Sequence, residues 1–201
     1  MKLNQAKKKE KIILAAMVLF AKKGFAKTSM ADIAKEAGIG KGTTYEYFKG
    51  KDELFFATFE WFLEYSEKSA NVNLSNFAAK SSIQKIRVFS ESVLQSIIGA
   101  KEFYPLTIEF WSASGSSKFQ DEMKILFKNF YQRVGLAFTA IIEEGVERGE
   151  FDSDLDSSAF VPAIVGAWDM IGLQAWFDDE FDIKRTMNAF TDLIIRGLLK
   201  K

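Results

Sequence analysis

The chain has 201 residues, 48% of them hydrophobic, which is enough to bury a core in one large or two small domains. It has no cysteine and no histidine, which excludes disulfides, thiol chemistry, zinc sites of the usual ligand set and histidine acid–base catalysis. The formal charge is zero, but residues 1–51 hold 12 Lys against 4 acids, a net of +8, while residues 52–201 hold 15 basic against 23 acidic residues, a net of −8, so only the first end is suited to phosphate.

The first eleven residues are polar and lysine-rich, without the apolar run and small-residue cleavage site of a signal peptide. Lys7, Lys8, Lys9 and Lys11 are open to two readings: a solvated or disordered arm, or a basic arm that reaches a neighbouring groove. A first helix is predicted over about 7–23, with Ile13, Ala16, Met17 and Phe20 on one face, ended by Gly24 after two lysines that favour the negative end of the helix dipole.

Residues 28–54 carry the most information. Met30, Ile33, Ala34 and Ala37 recur at i, i+3, i+4 and i+7 and give a short helix one apolar stripe. Ser29 is a good N-cap, and Asp32 can complete a capping box. Gly38 then supplies the left-handed conformation of a sharp turn. A second short helix follows over 40–48, with Ile39, Thr44 and Phe48 facing inward and Lys41, Gly42, Thr43, Tyr45 and Tyr47 facing out. Small, hydroxyl, aromatic and cationic residues on one exposed face suit close approach to phosphates and base edges. Lys51 opens the next helix, where its charge and the free N–H groups could grip one phosphate.

These residues resemble the N-terminal domain of the tetracycline-repressor (TetR) family of bacterial transcription regulators, of the AcrR-like kind. The resemblance covers about 12–54 and rests on LFAKKGF at 19–25, Thr28 with IAKEAGI at 33–39, KGTTYEYF at 41–48 and KDEL at 51–54. It implies a helix-turn-helix whose recognition helix enters the major groove. The expected DNA-binding set is Thr28, Lys41, Gly42, Thr43, Thr44, Tyr45, Tyr47 and Lys51, with Lys41, Thr43 and Tyr47 at base or groove contacts and Thr28, Tyr45 and Lys51 at phosphates.

Beyond Lys51 the chain reads as helix over about 52–69, 81–100, 102–114, 118–148, 156–178 and 182–200, with breaks at 71–76, 112–117, 149–156 and 178–182 and no convincing strand. The first of these helices runs without a breaker from the basic module into the larger one. The apolar stretch 160–177 contains Pro162, Asp169, Gln174 and two glycines, which makes it a poor membrane span. Asp152, Asp154 and Asp156 have calcium-loop spacing, but Ser157 and Ala163 stand where glycine and a bidentate Glu belong, so they read as a loop with a helix cap.

Residues 52–201 hold 24 of the 29 aromatic side chains, more than a small core needs. Because TetR-like regulators bind an inducer in this region, the resemblance makes Trp61, Phe62, Tyr65, Phe89, Phe103, Phe110, Trp111, Phe127, Tyr131, Trp168 and Asp169 candidate ligand contacts, each with core packing as the competing role. Asp169 stands alone in an apolar helix, open to ligand contact, a helix cap across a dimer interface or an Arg pair, with a structural role preferred. In TetR-like proteins the last two helices form a four-helix dimer interface, which assigns Phe160, Ile164, Ile171, Met187, Phe190, Ile194 and Leu198 to it, with Gly166, Gly172 and Gly197 permitting close approach.

The expected fold is all-α: a three-helix helix-turn-helix DNA-binding domain at 1–51 and a larger helical effector-binding and dimerisation domain at 52–201. The expected function is a cytoplasmic, homodimeric transcriptional regulator, a repressor released from a palindromic double-stranded DNA operator by a small hydrophobic or aromatic effector. No cofactor, metal or membrane partner is expected. A regulator of the same fold controlled by a protein partner is the alternative, and an enzyme has little support, with no phosphate loop, histidine dyad or metal spacing.

Overall fold

The computed structural model describes residues 2–70, 81–116 and 118–200, and among them the helices are α1 (Lys2–Lys23), α2 (Met30–Glu36), α3 (Lys41–Tyr47), α4 (Lys51–Ala70), α5 (Ser82–Gly99), α6 (Tyr104–Ser116), α7 (Gln120–Glu147), α8 (Ser157–Phe177) and α9 (Ile183–Leu198). One 3-10 turn, Lys101–Phe103, precedes α6, and the β-type pairing among the described residues is the isolated antiparallel bridge between Phe151 and Leu199. The fold is all-α, as the sequence leads one to expect. The predicted break at 71–76 lies outside the described residues.

Two boundaries differ from the sequence reading. Lys7–Lys11 are not a free arm but early turns of α1, their side chains exposed on a helix whose buried face begins at Ile12. The predicted break at 112–117 begins too early, because α6 continues through Ser116. Ser114 donates its hydroxyl back to Trp111 O at 2.7 Å, so a serine there bonds within the helix instead of interrupting it.

The chain packs into two compact units, Met1–Tyr65 with Glu102–Leu126, and Ser66–Lys101 with Phe127–Lys201. In the first, α1 contributes Ile12, Ala16, Met17 and Phe20, α2 contributes Ile33 and Ala34, α4 contributes Leu54, Phe55 and Phe59, and α6 contributes Leu106 and Phe110, all buried. A connected set of rings runs through this core. Phe25–Phe55, Phe55–Phe110 and Phe59–Phe110 have centroids 4.7, 5.0 and 4.8 Å apart, distances at which tilted aromatic pairs attract.

The second unit has its own core. Phe89 on α5, Phe138 on α7 and Trp168 on α8 form a triangle of rings with centroids 5.3 to 5.7 Å apart, flanked by Ile86, Ile141, Val165 and Ile195. A Ser81–Gln84 capping box starts α5, and Asp156 caps α8 by accepting from Ala159 N at 3.2 Å. The latter is the loop-and-cap role expected of the Asp152–Asp156 segment. By length and composition alone α8 is long and apolar enough to cross a membrane, but here Val161, Val165, Trp168 and Ala175 are buried in the unit's core.

After α7 the chain reverses through Gly149, at φ +70°, and folds Phe151 back over the helix it has just left. The N–H groups of Glu150 and Phe151 both donate to Gly145 O, at 2.8 and 3.1 Å. A Cβ at Gly145 would lie 2.1 Å from the Phe151 ring, and Phe151 is itself fully buried. Gly145→Ala is therefore expected to destabilise the protein by about 1–3 kcal/mol through overpacking, read as a lower midpoint in urea unfolding with little change in slope.

Candidate nucleic-acid interface

The region between α1 and α4 is built from two seven-residue helices and three turns. Gly24, at φ +80°, ends α1, where its N–H donates to Phe20 O at 2.9 Å. Ser29 begins α2 with a complete capping box: Asp32 N donates to Ser29 Oγ at 3.1 Å, and Ser29 N donates to Asp32 Oδ2 at 3.1 Å. The Ser29 hydroxyl, and then its backbone N–H, hold the Asp32 carboxyl below the ordinary carboxylate range. Gly38, at φ +62°, makes the turn out of α2, with Gly38 N bonded to Lys35 O and Ile39 N to Ala34 O at 3.0 Å each.

Gly40 is the N-cap of α3 and makes no side-chain bond. On α3, Lys41, Gly42 and Tyr45 are exposed, Tyr45 by 46%, while Thr43 and Tyr47 are half-buried. A Cβ at Gly42 would meet nothing within 4 Å, so the backbone itself is open to solvent there. Lys22, Lys23, Lys27, Lys35 and Lys49 are also exposed in this unit. The arrangement offers a cation, hydroxyls and an accessible backbone on one short helix, the groups that reach phosphates and base edges.

Three of the expected contacts are spent inside the unit. Thr44 is fully buried, so its side chain packs under α3 and is not offered to a groove. Thr28 is 2% exposed, and its hydroxyl donates to Gly24 O at 2.9 Å, which turns an expected phosphate contact into a tie across the α1–α2 turn. The Lys51 ammonium donates to Phe25 O at 2.7 Å and Ala26 O at 3.2 Å and lies 4.4 Å from the centre of the Phe25 ring, so it too is held by the turn. Sequence reasoning missed Glu109, whose two carboxylate oxygens accept from Phe25 N at 3.0 and 2.9 Å. The available signal was a lone acid between Ile108 and Phe110 in an otherwise apolar stretch.

The expected ligand contacts fall in both units. In the first, Phe110 is fully buried in the core, Trp61, Phe62, Phe103 and Trp111 are half-buried, and Tyr65 is exposed, with Trp61 and Tyr65 stacked at 5.1 Å. In the second, Phe89 and Trp168 belong to the core triangle, so they pack the unit and do not line open space. Phe127 and Tyr131 are half-buried and stacked at 6.1 Å on α7. The Tyr131 hydroxyl donates to Asp169 Oδ2 at 2.6 Å.

The expected dimer residues pack largely within the protomer, although Phe160, Ile164, Phe190, Ile194 and Leu198 also line an open groove. Ile164, Ile171, Met187, Ile194 and Leu198 are buried within the protomer's own core, and Phe160 and Phe190 are half-buried against it. The outward faces of α8 and α9 are carried instead by neighbours: Met170 and Phe177, 45% and 70% exposed, and Leu193, 65% exposed. Gly166 and Gly197 lie on these faces with open space beyond them.

A capped short helix, a left-handed glycine turn and a second short helix with an open polar face define a helix-turn-helix regulator of transcription. The family profile described as bacterial regulatory proteins, tetR family, matches residues 12–58. YerO, an uncharacterized HTH-type transcriptional regulator of Bacillus subtilis (strain 168), is 48% identical over 56 residues, which are 28% of this chain and 19% of that protein. The fatty acid metabolism regulator protein of the same organism is 22% identical over 196 residues, covering 94% of this chain and 95% of its own. The crystal structure of the Bacillus subtilis regulator FadR in complex with stearoyl-CoA superposes with a TM-score of 0.69 at 22% identity, covering 94% of this chain and 98% of that one. Residues 12–58 thus carry the DNA-binding module of the tetR family of bacterial regulatory proteins, and the whole chain shares the fold of the FadR structure.

Burial raises the Asp169 carboxyl above its ordinary 3.8, and the hydrogen bond from Tyr131 offsets only part of this. A carboxyl with a higher value in the folded state holds its proton more tightly there. Stability is then favoured at low pH and declines as pH rises from 3.8 through the folded value. Asp169→Asn, which keeps an acceptor for Tyr131, is expected to raise the thermal midpoint at about pH 7, with the gain shrinking toward about pH 4.

Proposed function

We propose that the protein is a cytoplasmic, homodimeric repressor that binds a palindromic operator and is released from it by a hydrophobic or aromatic effector. The observation that carries this reading is the face of α3, where Lys41, Gly42 and Tyr45 are exposed on a seven-residue helix set at a glycine turn. Lys41, Thr43 and Tyr47 are the proposed base or groove contacts, with Tyr45 at a phosphate. In a dimer, the two-fold axis would place the two recognition helices one helical turn apart, about 34–36 Å, or a multiple of it.

The outward faces of α8 and α9 support the dimer. Met170, Phe177 and Leu193 are too exposed and too apolar for a helix pair that faces water alone, and Gly166 and Gly197 leave room for a second backbone. A groove of about 210 Å³ between Phe160, Ile164, Phe190, Leu193, Gly197 and Leu198 on this face offers a seat for side chains of a second copy.

For the effector, Phe127, Tyr131 and Asp169 are the proposed contacts within the second unit, an apolar wall with one polar group. The regulator crystallised with stearoyl-CoA supports a lipophilic, acyl-type compound as the first class to examine. Such a ligand lowers DNA affinity only if it binds the non-DNA conformation better, and DNA must then weaken ligand binding by the same factor.

The test is fluorescence anisotropy on a duplex that the wild type selects from a randomised pool. Lys41→Ala and Tyr47→Ala are each expected to cost about 1–3 kcal/mol of binding and to relax specificity at particular base pairs. Unchanged affinity and specificity in both variants would refute the assignment of α3 as the reading helix.

A further inference from the structure

We propose that Glu109 is the positioning residue for DNA binding: from α6, outside the helix-turn-helix, its carboxylate holds the α1–α2 turn in the geometry that presents α2 and α3. This inference rests on the DNA-binding reading above. It assigns to that function a residue 84 positions along the chain from the atom it holds.

The turn is gripped from both electrical sides at one residue. Phe25 N donates to both oxygens of Glu109, at 3.0 and 2.9 Å, and Phe25 O accepts from the Lys51 ammonium at 2.7 Å. The anion takes the donor and the cation takes the acceptor, and hydrogen bonds with an ionised partner are about twice as strong as neutral ones. The Lys51 ammonium also lies 4.4 Å from the centre of the Phe25 ring, which fixes the side chain as well as the backbone.

Gly24 makes the approach of Glu109 possible. Its φ of +80° turns the chain out of α1, and a Cβ there would lie 3.0 Å from Glu109 Oε1. The Thr28 hydroxyl donates to Gly24 O on the other side of the same turn. Met30 opens α2 two residues later. The angle at which α2 leaves α1 is thus set by a few atoms, two of them the carboxylate oxygens of Glu109.

The sign of the effect distinguishes positioning from plain electrostatics. Removing an acid from a DNA-binding unit is expected on Coulomb grounds to strengthen binding or leave it unchanged. A positioning role demands the opposite. It also demands an unchanged salt dependence, because no phosphate contact is lost, whereas each lost contact lowers the slope of log K against log salt by about 0.9.

The experiment uses the full chain, the duplex selected by the wild type, and the variants Glu109→Ala, Glu109→Gln and Lys51→Met, with anisotropy read between roughly 50 and 200 mM salt. Glu109→Ala is expected to weaken binding about tenfold or more. Glu109→Gln, which keeps one carbonyl acceptor for Phe25 N and the shape of the side chain, is expected to fall between Ala and wild type. Neither Glu109 variant nor Lys51→Met is expected to change the slope, and amide exchange at Phe25 is expected to accelerate in Glu109→Ala and Glu109→Gln. Equal or tighter binding by Glu109→Ala, unchanged exchange at Phe25, or a slope lowered by about 0.9 in Lys51→Met would overturn the proposal. If the wild type selects no duplex, the DNA-binding reading fails and the inference fails with it; a duplex bound equally by wild type and both Glu109 variants removes the inference alone.

Discussion

Helices α2 and α3 have seven residues each, well below the roughly 12–15 at which an isolated helix becomes even marginally stable in water. They exist only because a larger frame holds them. That frame is the packing of Phe20, Phe25, Phe55, Phe59 and Phe110, which brings rings from α1, the turn after it, α4 and α6 into one core. Each pair contributes about 0.5–1.5 kcal/mol beyond its buried area. With the rings in place, the polar ties from Thr28, Lys51 and Glu109 to the Gly24–Ala26 backbone fix the turn, and the glycine turn at Gly38 then aims α3.

A consequence is that the packing which holds α2 and α3 is not confined to the first fifty residues. The unit that contains α2 and α3 also contains α6 and the first residues of α7. The family profile, by contrast, ends at residue 58. Glu109 and Phe110 lie outside that stretch, yet they contact the turn and the core on which α3 depends. A shift of α6 would move the Glu109 carboxylate that is bonded to Phe25 N in the α1–α2 turn.

What the sequence made legible is what depends on neighbours along the chain. The Ser29–Asp32 capping box, the end of α1 at Gly24, the left-handed Gly38 and the inward positions of Ile33, Ala34 and Phe48 follow from local geometry, and the structure contains each of them. The roles that need distant partners were not legible. Lys51 reads as a phosphate ligand because it opens a helix, and only the fold brings the Phe25 and Ala26 carbonyls to it. Periodicity on α8 and α9 finds an apolar face but cannot say whether the protomer or a second copy covers it. Ile164, Ile194 and Leu198 are covered by the protomer, and Leu193 and Met170 remain outside. Phe89, Phe110 and Trp168 fail as cavity residues for the same reason, since an aromatic ring in a core and one lining open space have the same sequence signature.

In the proposed function, α3 reads a major groove from each half of a two-fold dimer. The most direct test is methylation protection of guanine N7 on the duplex that the wild type selects. Two protected patches in the major groove, related by a dyad and centred about 34–36 Å apart or a multiple of it, are the expected result. A single patch, or a bound duplex with no protection of guanine N7, would contradict it.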